Sequence, residues 1–514
     1  MTRRRSFSPS HEKNVQKISL WQCMVGLLVC FLIFTRFFRL HGLTEQEEQP
    51  IETKWSGTVL PPSLSDMKDI TSITLSGELN SIPSAIFSLT QLTMLNVANN
   101  KLIEIPSQIG FLTNLELLGL KNNHLESIVS EIGLLTKLKA IFLTSNHLQS
   151  LPSQIGEMKS LRKLQAGSNQ LKFIPTEIGK LKNLELFRMP MNQIDKISSN
   201  TLSNCESLAW IALSENPFTN KAKTMSKTDI TSISMKDISL KDKDQNLASS
   251  DYGGAANDGV IPGSYHKRTQ PPPPNDEEES IPVAVKYFTT LSPDGDPWDE
   301  LLIGEALSSS SSSIIGSSHG LAIQYGYVQW PRLSAVFRLI PDSIPMAMKP
   351  LDQVRMLRGR FVHKDVSAKF LLGTISDLTD ALAYMHSLNI AHGDIYAHNI
   401  LIHKDTQLLE FGDGTHHAVL FDFGASFFYS VTITDEYNWI EAAEVRAFGL
   451  LLHDMVTYFS IRDSFAAEKD WLEVTLFLEG LVKQCTEGSL KDRPSFARLA
   501  ASTRELATKV NRSS

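Results

Sequence analysis

From residue 92 to residue 216 the chain returns to one pattern every 23 residues, and that period restricts the possible folds more than any other feature. Leu92, Leu115, Leu138, Leu161, Leu184 and Leu208 close successive units such as "TMLNVANNKLIEIPSQIGFLTNL", with one unit of 24 residues. Asparagines keep the same register at Asn100, Asn123, Asn146, Asn169, Asn192 and Asn216. A unit this short cannot enclose its own leucines, so it must stack on its neighbours and build a solenoid. The recurring asparagine is expected to turn inward, where its amide can bond backbone groups left over at the turn between coils. "SITLSGELNSIP" (72–83) lacks that asparagine and is one residue short, as a terminal capping unit would be.

Leucine spacing, period and in-register asparagine together resemble the leucine-rich-repeat signature. Such solenoids present an extended concave surface to partners. The strand-centre positions that should line it are Asn96, Gly119, Phe142, Gln165 and Arg188. An apolar Phe142 and a charged Arg188 on such a face are expected to bind a protein partner. The repeat domain is drawn at 64–218 and a linker at 219–234. "TQPPPPNDEEES" (269–280) and "SSSSSS" (308–313) read as unstructured insertions.

The N-terminal region differs in kind. A basic tail (1–17) precedes the apolar run "ISLWQCMVGLLVCFLIF" at 18–34, and bulky, charged residues follow where a signal peptidase would need small ones. An uncleaved membrane-anchor helix over 18–40 is therefore expected, with an organellar presequence or a buried core helix as the other readings. No second apolar stretch separates the repeats from the C-terminal half of the chain, so both should lie on one side of the membrane, with cytosolic exposure favoured. A net charge of −7 gives no reason to expect nucleic acid as a partner. The four cysteines show neither metal-ligand spacing nor a disulfide framework.

Residues 235–508 carry a dispersed set of polar residues whose order is informative. Lys286 lies in "VAVK", on a β-branched stretch (281–288) that reads as a buried strand. Asp394 and Asn399 follow in "AHGDIYAHNILI" (391–402), and Asp422 opens "DFG" after the strand-like "HAVLF". Singly, each has a bland reading as a strand-edge lysine or a turn cap. In this order they resemble the protein kinase family, and with the upstream repeats they look like leucine-rich-repeat protein kinases. "KDRPSF" (491–496) is similar to the family's last motif, with Arg493 as its structural arginine.

The resemblance implies a multidomain chain: an α/β leucine-rich-repeat solenoid followed by a bilobal α+β protein-kinase-like fold. It implies transfer of the ATP γ-phosphoryl to protein hydroxyls, Ser or Thr rather than Tyr, with Mg²⁺. Lys286 would hold the phosphates and pair with Glu300, Glu305 being the alternative. Asn399 and Asp422 would hold the metal, while Asp394, with His392 nearby, would receive the acceptor proton. Phe423 and Gly424 complete the "DFG" motif. Gly254 and Gly259 in "YGGAANDGVI" would belong to a loop over the phosphates. Three departures favour a rival reading, a scaffold that binds without catalysis. Gly393 stands where the family has arginine, Tyr396 replaces a lysine, and no Ala-Pro-Glu follows the "DFG". Glu444 stands where most kinases have aspartate.

Overall fold

The computed structural model describes residues 52–56, 70–223, 225–240, 260–267, 279–288, 296–309, 321–329, 333–339, 343–348, 360–361, 367–403, 418–430, 438–460 and 471–512. The expected anchor at 18–40 and the glycines Gly254 and Gly259 lie outside these residues. Among the described residues no helix is long and apolar enough to cross a membrane.

Eight parallel strands follow one another in chain order as a single sheet. They are β1 (Glu52–Ser56), β2 (Ser72–Ser76), β3 (Met94–Asn96), β4 (Leu117–Gly119), β5 (Ala140–Phe142), β6 (Lys163–Gln165), β7 (Leu186–Arg188) and β8 (Trp210–Ala212). Asn96, Gly119, Phe142, Gln165 and Arg188 form one row across the sheet, each the partner of the next. Opposite the sheet, one-turn helices such as Ser107–Phe111 and Ser153–Glu157 start directly after a proline, whose fixed φ suits the entry. The inward asparagine does what its register requires. Asn146 Nδ2 donates to the carbonyls of Leu120 (3.1 Å) and Leu143 (2.9 Å), while its Oδ1 accepts from the Leu125 amide at 3.0 Å. The unit at 72–83 is not the terminal one, because β1 pairs along the full length of β2.

A second sheet, antiparallel, has the order β12-β13-β11-β10-β9. Its strands are β9 (Ile238–Leu240), β10 (Val260–Lys267), β11 (Glu279–Tyr287), β12 (Gln324–Val328) and β13 (Ser334–Arg338). Helix α1 (Pro297–Ser309) packs against β12. The expected linker at 219–234 is built into this part of the molecule. Ile230 and Ile233 are buried, and the backbone at Thr231 and Ile233 exchanges bonds of 2.9 and 2.8 Å with Tyr327.

The remainder is mainly helical. Helix α2 (Ala368–Ser387) starts at Ser367, whose hydroxyl accepts from the Phe370 amide at 3.1 Å, an N-cap. Leu371, Ile375, Leu378, Leu382 and Met385 recur at helical spacing and are all buried. Three further helices follow, α3 (Trp439–Ser460), α4 (Trp471–Thr486) and α5 (Phe496–Arg512); α5 packs along α2, and α3 packs against α4. A small sheet of β14 (Ser343–Pro345), β15 (Ile400–His403) and β16 (Ala418–Leu420) carries the loops of interest.

Repeats and helices share their cores. The repeat leucines lie in one apolar cluster with Ala391, Phe427, Tyr429, Trp439, Ile440 and Leu490. Leu186, Ala209 and Trp210 belong to the cluster of α1–α5. Residues 52–514 form one compact unit. Cys205 and Cys485 are free and buried, and loss of solvation pushes each thiol up to about 12.

Candidate active site

Lys286 projects from β11 between two carboxylates. Its Nζ donates to Glu300 Oε1 at 2.6 Å and to Asp422 Oδ1 at 3.0 Å. All three side chains are largely buried, at 12%, 5% and 9% exposure. Burial by itself lowers the pKa of the lysine, yet Asp422 and Glu300 outweigh it and raise that pKa above the ordinary lysine value. Burial pushes the Glu300 carboxyl upward, with Lys286 opposing and Asp422 reinforcing that shift. Glu305, the alternative partner, bonds Thr231 instead. About a turn and a half further along α1, its carboxylate accepts from Thr231 in the 225–240 segment.

Asp422 takes a left-handed backbone, φ 65°, directly before the turn Phe423–Ala425. Phe423 is fully buried, and its ring meets that of His392 in a T-shaped arrangement, centroids 5.7 Å apart. Two segments run side by side here: the Phe421 amide donates to the Asn399 carbonyl at 3.0 Å, which brings Asp422 next to Asn399. Asn399 Nδ2 donates to the Asp394 carbonyl (2.8 Å) and to its Oδ2 (3.1 Å). Asn399 Oδ1 is buried and has no hydrogen-bond partner. A buried oxygen left in that state beside a carboxylate fits a hard cation, which takes oxygen ligands from one or two protein groups and completes its shell with phosphates.

His392, expected among the catalytic group, is fully buried. Its Nδ1 accepts from the Asp394 amide at 3.3 Å and its Nε2 lies 3.3 Å from the Phe421 carbonyl, so it braces the loop from within. The loop's main support is Glu444 on α3. Its carboxylate accepts from the amides of His392 (3.1 Å) and Gly393 (2.5 Å), and His386 Nε2 lies 2.9 Å away. Burial would raise the Glu444 pKa, but His386, His392 and the Gly393 amide together bring it below the usual carboxylate range.

The repeats close on this loop, contrary to the expectation that Arg188 faces solvent for a partner. Arg188 Nη2 donates to Asp394 Oδ1, and the two side chains are only 14% and 10% exposed. On the next strand, Trp210 Nε1 donates to the Ile395 carbonyl at 3.3 Å, and its ring stacks on Tyr396 with centroids 4.9 Å apart. Arg493 joins the same junction. It donates to the Ala442 carbonyl at 2.9 Å and to the repeat carbonyls of Leu208 (3.5 Å) and Glu206 (2.5 Å). Phe142, the other member of the concave pair, is partly exposed in its row.

A second ionic link ties the last repeat to α1. Lys223 Nζ lies 2.6 Å from Glu215 and 2.5 Å from Asp299, the neighbour of Glu300. Burial pushes the Asp299 carboxyl up to about 7, with Lys223 opposing and Glu215 reinforcing. Its pKa is raised on folding, so between roughly pH 4 and 7 the folded state holds a proton that the unfolded state has released. This group's contribution to stability therefore falls as pH rises across that window. Asp299→Asn should flatten the decline, read as the difference between the parent and variant melting temperatures from pH 4.5 to 7.5. Parallel curves would assign the proton elsewhere.

Comparison with known proteins divides the chain in the same way. Residues 69–209 match the leucine-rich repeat region family, and residues 360–427 match the lipopolysaccharide kinase (Kdo/WaaP) family. Two proteins of Dictyostelium discoideum, both described as probable LIM domain-containing serine/threonine-protein kinases, are 22% identical over 157 and 158 residues. Each match covers 26% of this chain, which spans only 24% and 16% of those relatives. A solved leucine-rich-repeat protein of Leptospira interrogans is 29% identical, covering 32% of this chain and 48% of that one, with a TM-score of 0.28. A leucine-rich-repeat region is thus joined to a kinase-like segment.

Proposed function

We propose that the chain is an ATP-dependent kinase of bilobal, protein-kinase-like fold that phosphorylates hydroxyl groups of proteins, Ser or Thr in particular. One observation carries this reading: Lys286 is held by Glu300 and Asp422 beside a loop that ties Asp394 to Asn399. Phosphoryl transfer needs little covalent help from a protein, and depends on positioning and charge compensation. Lys286 is suited to hold nucleotide phosphates, and Glu300 keeps it extended from β11. Asp422 and Asn399 Oδ1 would hold Mg²⁺, which when bound neutralises charge on the phosphates. Asp394 orients the acceptor. The acceptor oxygen bonds to the γ-phosphorus as the bond to the β,γ-bridging oxygen breaks; that electron pair leaves with ADP, and the hydroxyl proton passes to Asp394. A lipopolysaccharide acceptor is the second reading, favoured by the family match at 360–427. The row from Asn96 to Gln165, which includes Phe142, remains the surface for a protein partner.

The test pairs calorimetric titration of the full chain with Mg·ATP and transfer from radiolabelled ATP to itself, casein or lipopolysaccharide. Asp394→Asn should keep nucleotide binding while turnover falls roughly 10²-fold, the scale of a positioned general base. Asp422→Asn removes a metal ligand and should weaken Mg·ATP binding as well as transfer. If the parent transfers phosphate to no acceptor, the scaffold reading replaces the kinase.

A further inference from the structure

We infer that Arg188, on the seventh strand of the repeat sheet, is a positioning residue of the phosphoryl-transfer site, holding the Asp394 carboxylate in place from a separate part of the fold. The inference rests on the kinase reading. Between residues 391 and 402 the loop has no lysine or arginine, so it supplies no permanent cation beside its own aspartate. Arg188 supplies one from 206 positions away. Asp394 is then fixed on both oxygens: Oδ2 accepts from Asn399 Nδ2 at 3.1 Å, and Oδ1 accepts from Arg188. An ionised carboxylate oxygen has two lone pairs, so Oδ1 keeps one for the acceptor hydroxyl and its proton.

The surroundings make this contact a permanent part of the site. Gly393 leaves space that the repeats fill: a Cβ there would come within 2.7 Å of the Ile211 carbonyl. Tyr396, where a longer cation could otherwise reach the site, lies flat on Trp210. Each of the two apolar clusters at the junction takes residues from both sides of it. At Gly393 and Tyr396, where the kinase pattern has cations, the loop is uncharged and packs on the repeats, and the cation beside Asp394 is Arg188. A detachable inhibitor would need none of these adjustments.

The experiment measures Mg·ATP affinity and phosphoryl transfer to the chain itself and to casein, for the full parent chain, Arg188→Ala and Arg188→Lys. Arg188→Ala should bind Mg·ATP as the parent does and lose roughly 10²-fold in turnover, the effect of removing one preorganised donor from such a site. Millimolar guanidinium should restore part of that loss, and Arg188→Lys should fall between parent and Arg188→Ala. A parent without transfer overturns the kinase reading and this inference with it. With an active parent, an equally fast or faster Arg188→Ala overturns the inference alone, as does a deficit that tracks weakened Mg·ATP binding and resists guanidinium. Should Arg188→Ala fail to fold, Arg188→Lys decides: lowered turnover at parental Mg·ATP affinity supports the assignment, and parental turnover overturns it.

Discussion

Gly393→Arg, which gives the loop the arginine usual in protein kinases, will destabilise the protein by about 3 kcal/mol or more. Gly393 has φ +81°, in the left-handed region where a side chain costs about 1–2 kcal/mol. Its Cβ would also meet the carbonyl oxygens of Ala425 at 2.4 Å and Ile211 at 2.7 Å. Both are backbone atoms, one from the turn after Asp422 and one from β8, so neither can swing aside as a side-chain tip would. Relief requires the loop to leave the repeats, which breaks the Glu444 bonds to the amides of His392 and Gly393. Chemical denaturation should show a lower midpoint for Gly393→Arg and a smaller drop for Gly393→Ala, which meets the same carbonyls without the longer side chain. A parental midpoint for Gly393→Arg would mean that β8 and the loop can separate freely.

Much of this is legible in the chain itself, for reasons of locality. The 23-residue period fixes the sheet because each strand pairs with the unit one period away, and the inward asparagines follow from the same register. Lys286, Asp394, Asn399 and Asp422 stand out by the order of motifs that resembles protein kinases, while the sequence offers both Glu300 and Glu305 as partners of Lys286 and the fold brings Glu300 to it. The junction cannot be read this way. Arg188 with Asp394, Trp210 with Tyr396 and Arg493 with Glu206 join residues about 185 to 290 positions apart, and no periodicity relates them. Arg188 occupies the same register position as Phe142 and Gln165, so on repeat geometry alone it should face solvent. The trace left in the sequence is indirect: Gly393 and Tyr396 depart from the kinase pattern at the positions where β8 arrives. In sequence those departures favour a catalytically inert scaffold, yet in space they make room for the repeats. Glu444 is visible as an exception to the pattern, but its grip on two loop amides requires the fold.

A chain beginning at residue 225, with the repeats removed, will not fold to a cooperative, soluble domain. Phe427, Tyr429, Trp439, Ile440 and Leu490 are each no more than 3% exposed and share their cluster with the repeat leucines. Fully burying such a side chain is worth about 1.5–3 kcal/mol. Uncovering even part of this set removes an amount comparable to a domain's whole net stability of about 5–15 kcal/mol. The polar losses act in the same direction. Arg493 would keep the Ala442 carbonyl but lose those of Leu208 and Glu206, and the Ile395 carbonyl would lose the Trp210 indole. Asp394 would lose Arg188, and Asp299 would lose the only cation paired with it among the described residues, Lys223. The effect should therefore reach both α1 and the loop, so that any transfer activity disappears with the fold. Expression of the 225–514 chain beside the full chain, followed by gel filtration and thermal melting, reads this directly. A monomeric 225–514 chain with a sharp melting transition would show that the junction is an accessory contact and that the kinase-like part carries its own core.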